Sequence, residues 1–210
     1  KQKELYHAHA QRLALMLQNQ TEEEFADSRF QVLSELTRLR QLCCDPALVY
    51  ENYEGGSAKL DLCIELIQSA VESGHKILLF SQFTSMIEIL TARLQEESIS
   101  YFVLQGSTKK EQRAQMVEQF NRDDTSVFCI SLKAGGTGLN LTGADIVIHY
   151  DPWWNVAVEN QATDRAHRIG QKNVVTVYKL IAKGTIEEKI IKLQPVSYTH
   201  LRAHETGRNL

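Results

Sequence analysis

The densest run of chemistry-bearing side chains begins at Gln161. Gln161, Asp164, Arg165 and Arg168 stand at i, i+3, i+4 and i+7, so a helix through them turns one polar face outward where burial would demand apolar residues. Two guanidinium groups on that face, set in place by Gln161 and Asp164, supply the planar donors that phosphoryl transfer uses. The same spacing fits a solvated face in which Asp164 and Arg168 form an ion pair worth only about 0.3–0.5 kcal/mol. Taken in isolation, the solvated face is the simpler reading.

Two other stretches add to it. In Lys133-Ala134-Gly135-Gly136-Thr137-Gly138-Leu139-Asn140-Leu141, three glycines within four positions let backbone N–H groups converge on a phosphate oxygen. A tight strand-to-helix turn that needs positive φ explains the glycines equally well. The run is neither G-x-x-x-x-G-K-[S/T] nor G-x-G-x-x-G. In Asp151-Pro152-Trp153-Trp154-Asn155, adjacent tryptophans offer a clamp or stacking surface, or more simply a lid over the local core.

These stretches need a scaffold. Short β-rich runs at 76–81, 101–105, 126–132, 146–150 and 174–181 alternate with amphipathic helical patterns, the first carrying Met86, Ile89, Leu90 and Leu94 and the second Met116, Val117 and Phe120. Ile77-Leu78-Leu79-Phe80 and Ile146-Val147-Ile148 are apolar on both faces, as strands of a helix-covered parallel sheet must be. The expected fold is α/β, a doubly wound, mostly parallel sheet with helices on both faces. In such a sheet ligands bind beyond the carboxyl ends of the strands, where the Gly-rich and Trp-Trp stretches fall. Residues 1–57 read as two helices and a Gly55-Gly56 linker, with Leu13, Met16 and Leu17 on one apolar face and Val32, Leu33, Leu36 and Leu39 on another. Thr21 with Glu24 spells a capping box, and Pro46 stops the second helix. A second unit runs over 58–194 and ends in a helix that starts at Thr185, with Ile186, Ile190 and Leu193 on one side. Periodicity is lost over 195–210, which reads as a non-native tail.

Composition narrows the class. At 210 residues, 43% hydrophobic and 23% charged, the chain can bury a real core. No stretch reaches the roughly 20 apolar residues that span a bilayer, and the first residues lack the apolar centre of a secretion signal, so a cytoplasmic protein without membrane contact is expected; it is also expected to be a monomer. Cys43, Cys44, Cys63 and Cys129 form no C-x-x-C pair, and neither a disulfide nor zinc is expected. A net charge of −3 gives no whole-molecule attraction to a polyanion, so any nucleic-acid contact must be local.

Together the stretches carry a family resemblance. Ser131 through Thr142 resembles helicase motif V, and Gln161 through Asp164-Arg165-Ala166-His167-Arg168-Ile169-Gly170-Gln171 resembles motif VI in the spelling of the Swi/Snf-like branch of superfamily-two helicases. Lys76 to Phe83 resembles motif IV, Gly106-Ser107-Thr108 with Arg113 resembles the motif after it, and Leu39 to Pro46 resembles the segment joining the two lobes. The resemblance covers residues 29–194, and the short loops suggest a compact bacterial member, associated with the nucleoid. It implies the C-terminal RecA-like lobe of an ATP-dependent double-stranded-DNA translocase, preceded by helical lobe-connecting segments and partnered by an N-terminal RecA-like lobe that holds most of the ATP and Mg2+. By that resemblance Arg165 and Arg168 are arginine fingers, Gln161 orders the attacking-water side, Asp164 holds the arginines, and Gly135, Gly136 and Gly138 keep the loop close to phosphate. Thr137 then couples nucleotide to DNA, and Ser81, Gln82, Ser107 and Thr108 offer donors to backbone phosphates. Thr108 with Glu111 equally spells an ordinary capping box.

The 210 residues contain neither G-x-x-x-x-G-K-[S/T] nor an Asp-Glu-x-His run, so these residues alone are expected not to turn over ATP. Val156 stands where the family often has proline. The alternative is a degenerate lobe serving as a nucleic-acid or protein docking module, against which the complete arginine face argues. A dinucleotide-binding oxidoreductase would need glycines after the first strand, where this chain has Ser81-Gln82-Phe83.

Overall fold

A computed structural model describes residues 1–18, 22–132, 134, 138–166, 171 and 173–194. Helices α1 (Gln2–Gln18) and α2 (Glu22–Cys44) form a hairpin whose seam is Leu13, Val32 and Leu39, packed with Tyr6, Ala10, Leu36 and Ile186. The seam admits one row of side chains. Leu17 and Leu33, expected on the apolar faces, therefore look outward at 43% and 52% exposure. Thr21 of the expected capping box lies outside the described residues.

Asp45 accepts from Ala47 N and starts a short 3-10 turn, Pro46–Leu48, that ends the helical approach. Ser57 then caps α3 (Ala58–Glu72), accepting from Leu60 N while donating to Cys44 O at 2.7 Å. One hydroxyl thus fastens the end of α2 to the start of the next unit. Gly74, at φ +80, closes α3 in the left-handed conformation that residues with a Cβ avoid.

All five expected strands are present: β1 (Ile77–Ser81), β2 (Tyr101–Leu104), β3 (Val127–Ser131), β4 (Ile146–His149) and β5 (Thr176–Lys179). They form one sheet in the order β2-β3-β1-β4-β5 with every pairing parallel, Phe80 lying between Ile130 and His149. Alternation divides the core. Ile77, Leu79, Cys129 and Ile148 meet α3 and α4 (Thr84–Glu96), whereas Leu78, Phe80, Phe128 and Val147 meet Phe120 of α5 (Lys110–Arg122) and Ala162 of α6 (Val156–Thr163). The doubly wound α/β arrangement is therefore as the strand pattern implies. Edge strand β5 is largely exposed.

Helix α7 (Ile186–Leu193) is capped by Thr185, which accepts from Glu187 N, while Glu188 accepts from Gly184 N. Ile190 is buried, but Leu193, in the last turn, is covered by none of the described residues and is 73% exposed, where an apolar contact was expected. The four cysteines are buried free thiols, and residues 195–210 lie outside the described residues.

Candidate active-site face at the carboxyl ends of the strands

At the end of β1, Ser81 is fully buried and its hydroxyl donates to Asp151 Oδ1 at 2.5 Å, while accepting from Phe83 N. Asp151, two residues past the β4 end, also accepts from Gln82 N. Burial pushes its carboxyl above the usual range, and Ser81, Lys59 and Arg40 work against that shift. The Ser81 hydroxyl, expected to be offered to a DNA phosphate, is here given to a buried aspartate across the β1–β4 junction. Gln82 is buried as well, and its side-chain amide nitrogen has no partner among the described residues.

Past β2, Ser107 is exposed and Thr108 half-buried. The expected Thr108–Glu111 capping box does not form. Helix α5 begins at Lys110 with Lys109 as its cap, and the Thr108 hydroxyl instead accepts from Gln105 N, closing the loop on itself. Arg113 holds this loop: Nε donates to Thr108 O at 2.8 Å and Nη2 to Gly106 O at 3.2 Å, while Nη1 reaches Ala134 O, beyond β3, at 3.2 Å. Two loops that the chain separates by more than twenty residues are thereby cross-tied. Of the Gly-rich stretch, Gly135, Gly136 and Thr137 lie outside the described residues. Gly138 has φ +48, and a Cβ there would meet nothing, so the backbone conformation is what favours glycine.

Beyond β4 the chain turns through Asp151–Asn155 into α6. Asn155 caps that helix by accepting from Ala157 N, and buried Glu159 accepts from Trp153 N at 2.6 Å and from Lys179 Nζ at 2.7 Å. Gln194, capping the end of α7, donates to Trp153 O at 2.7 Å. The helix stops at Thr163, with Asp164 as its cap. Arg165 O accepts from Leu141 N at 3.0 Å, so the main chain here pairs with the loop after β3 rather than continuing the helix. The single helical face expected for Gln161, Asp164 and Arg165 is corrected accordingly: Gln161 and Asp164 are exposed, and Arg165 turns inward to 4% exposure. Arg168 lies outside the described residues.

The Arg165 guanidinium lies over the Phe80 ring, 5.5 Å from its centroid, at the carboxyl end of β1. His149, at the end of β4, stacks on the same ring at 5.5 Å and 20°, with Nε2 3.1 Å from Thr163 Oγ1. Burial pushes the His149 pKa down to about 4; Lys179 and Arg165 act in the same direction and Glu159 opposes them. Gln171 donates through one nitrogen to Thr142 O, Ala144 O and Ala166 O, holding the far side of the turn to the loop after β3.

Several residues on this face went unmarked in the sequence. Lys59 and Glu187 form a buried ion pair at 2.6 Å, joining α3 to α7 beneath Tyr150. Burial lowers the Lys59 pKa, and the summed attraction of Glu187 and its neighbours carries it above its ordinary value. Arg40, on α2, donates from Nη2 to Pro152 O at 3.0 Å. The available signal was a charged residue on an otherwise apolar face: Lys59 beside Leu60 and Cys63, Glu187 beside Ile190, His149 closing Ile146-Val147-Ile148.

The comparisons with known proteins place the family and the fold. Residues 58–170 match the family model described as the helicase conserved C-terminal domain. An uncharacterized ATP-dependent helicase of Mycoplasma pneumoniae is 46% identical over 171 residues, covering 80% of this chain and 16% of that protein. The putative ATP-dependent helicase/translocase YwqA of Bacillus subtilis is 46% identical over 167 residues, covering 76% of this chain and 18% of its own length. The chain thus spans less than a fifth of these relatives. Among solved structures, the Sulfolobus solfataricus SWI2/SNF2 ATPase C-terminal domain superposes with a TM-score of 0.73 at 32% identity, over 91% of this chain and 78% of that one. The core of that ATPase in complex with double-stranded DNA gives 0.76 at 34% identity, over 91% and 40%. With the family model matched over more than half of its length and the SWI2/SNF2 ATPase lobe superposing on its sheet, the chain belongs to the helicase C-terminal domain family, in its SWI2/SNF2 branch.

Proposed function

We propose that the chain is the second lobe of an ATP-driven double-stranded-DNA translocase, with Arg165 and Arg168 serving as fingers toward a nucleotide held by an N-terminal lobe. The observation that carries this reading is the seat of Arg165: a turn beyond the carboxyl ends of β1 and β4, with the guanidinium over Phe80 and the main chain hydrogen-bonded to the loop after β3. These residues suit the phosphate end of ATP. They do not suit its metal, since among the described residues no three His, Cys, Asp or Glu side chains gather to hold one. Magnesium, bound by the other lobe, would neutralise charge between the phosphates.

The chain's own residues bind and position. A guanidinium presented to phosphate oxygens stabilises the charge that develops during transfer. Arg113 ties the Ser107–Thr108 loop to Ala134 O beyond β3, and exposed Ser107 beside that tie can donate to a backbone phosphate. Double-stranded DNA is present on the related Sulfolobus core, which supports duplex DNA as the partner here.

Arg165→Ala in the full-length protein is the test. DNA-stimulated kcat is expected to fall about 10³- to 10⁵-fold, roughly 4–7 kcal/mol of transition-state stabilisation. Turnover equal to that of the unsubstituted protein would remove the finger assignment.

A further inference from the structure

Arg40 is 7% exposed, yet among the described residues its hydrogen bonding is the contact from Nη2 to Pro152 O, and its Nε is buried without a partner. Around it stand three rings, those of Phe83, Trp153 and Trp154, with centroids 5.7, 5.7 and 5.5 Å from the guanidinium carbon. Burial lowers its pKa and the Asp151 carboxylate opposes that. A cation so enclosed with so few hydrogen bonds is a poor device for stability alone, since an apolar side chain would fill the same three-ring pocket without the desolvation cost.

Its position suggests another use. Arg40 sits on α2, the helix by which the chain enters the lobe, close to the 3-10 turn at Pro46. What it grips is the Asp151–Asn155 loop, one end of which is fixed at Ser81 and the other leads into α6. Glu159 and Gln194 hold the same loop at Trp153 N and Trp153 O. A shift of α2 therefore pulls on the segment that sets the start of α6, and through that short helix on Arg165.

We infer that Arg40 is a positioning residue that couples the entering helix to the Arg165 turn, which rests on the finger role proposed above. Arg40→Lys keeps a buried cation and gives up the planar stacking surface and the fixed fork. In the full-length protein this variant lowers DNA-stimulated kcat roughly 10- to 100-fold, as displacements near 1 Å do, with KM for ATP within about twofold. Combined with Arg165→Ala, it lowers the rate no further than Arg165→Ala alone, because the two act through one group. A kcat equal to the parent protein's overturns the inference. So does a loss that adds in full to that of Arg165→Ala, or one that disappears when parent and variant are assayed well below both melting temperatures; Arg40→Met, read for melting temperature and kcat together, separates folding from coupling if the lysine variant is unstable. Should Arg165→Ala itself leave turnover intact, the finger role fails; an effective Arg165→Ala beside an inert Arg40→Lys removes the Arg40 coupling alone.

Discussion

Where α3 meets α7, the Lys59 ammonium sits 2.6 Å from both oxygens of Glu187, and a third hydrogen bond to that carboxylate comes from Ala182 N. Where α2 meets the β4–α6 loop, Arg40 is as deeply buried but meets one carbonyl and three rings. The first cation is matched charge for charge, so its seam is fixed in one geometry. The second is held by contacts that are softer in angle and distance, on a helix whose end is fastened where Ser57 and Tyr150 donate to Cys44 O. A charge-matched joint and a softer one thus lie side by side at the strand ends.

Three substitutions press on that contrast, the largest effect first. Lys59→Met leaves the Glu187 carboxylate buried and unpaired, and unfolding in denaturant is expected to show a loss of about 3–5 kcal/mol; adding Glu187→Leu restores most of it, because an apolar pair of similar volume needs no compensation. Next comes His149, whose ring stays neutral in the fold until about pH 4 while the unfolded chain protonates near 6.5. Unfolded chains therefore take up a proton that folded ones refuse, and stability falls between those two values by roughly 3 kcal/mol, levelling off below them. His149→Asn flattens that part of the stability–pH curve, measured as the difference between the two proteins. Smallest is Arg40→Lys, expected to cost about 1 kcal/mol in the same denaturant experiment. A loss as large as that of Lys59→Met would make both joints structural and erase the distinction.

Much of the fold could be read from the residues. Apolar runs bounded by turn signals located all five strands; the pattern is densest at β1, β3 and β4, every residue of which is buried on one face or the other, and weakest at exposed edge strand β5. The candidate site was legible in its residue types and less so in its geometry. The spacing of Gln161, Asp164 and Arg165 suits a helix, and nothing local in the sequence announces that Arg165 O pairs with Leu141 N. Ser81 reads as a donor at a strand end, since its partner Asp151 is seventy residues away. The hairpin faces failed at Leu17 and Leu33 for a related reason: periodicity gives the apolar rows of a helix and not how many rows the neighbour covers.

The hydrogen bond between Leu141 N and Arg165 O is made of peptide groups alone. Whatever joins events at the Gly-rich loop to events at the arginine turn therefore survives almost any exchange of side chains at those two positions, and an alanine scan would pass over it in silence. Proline at 141, which deletes the donor, or an ester in place of that amide, is the kind of edit that would make this hidden wire audible.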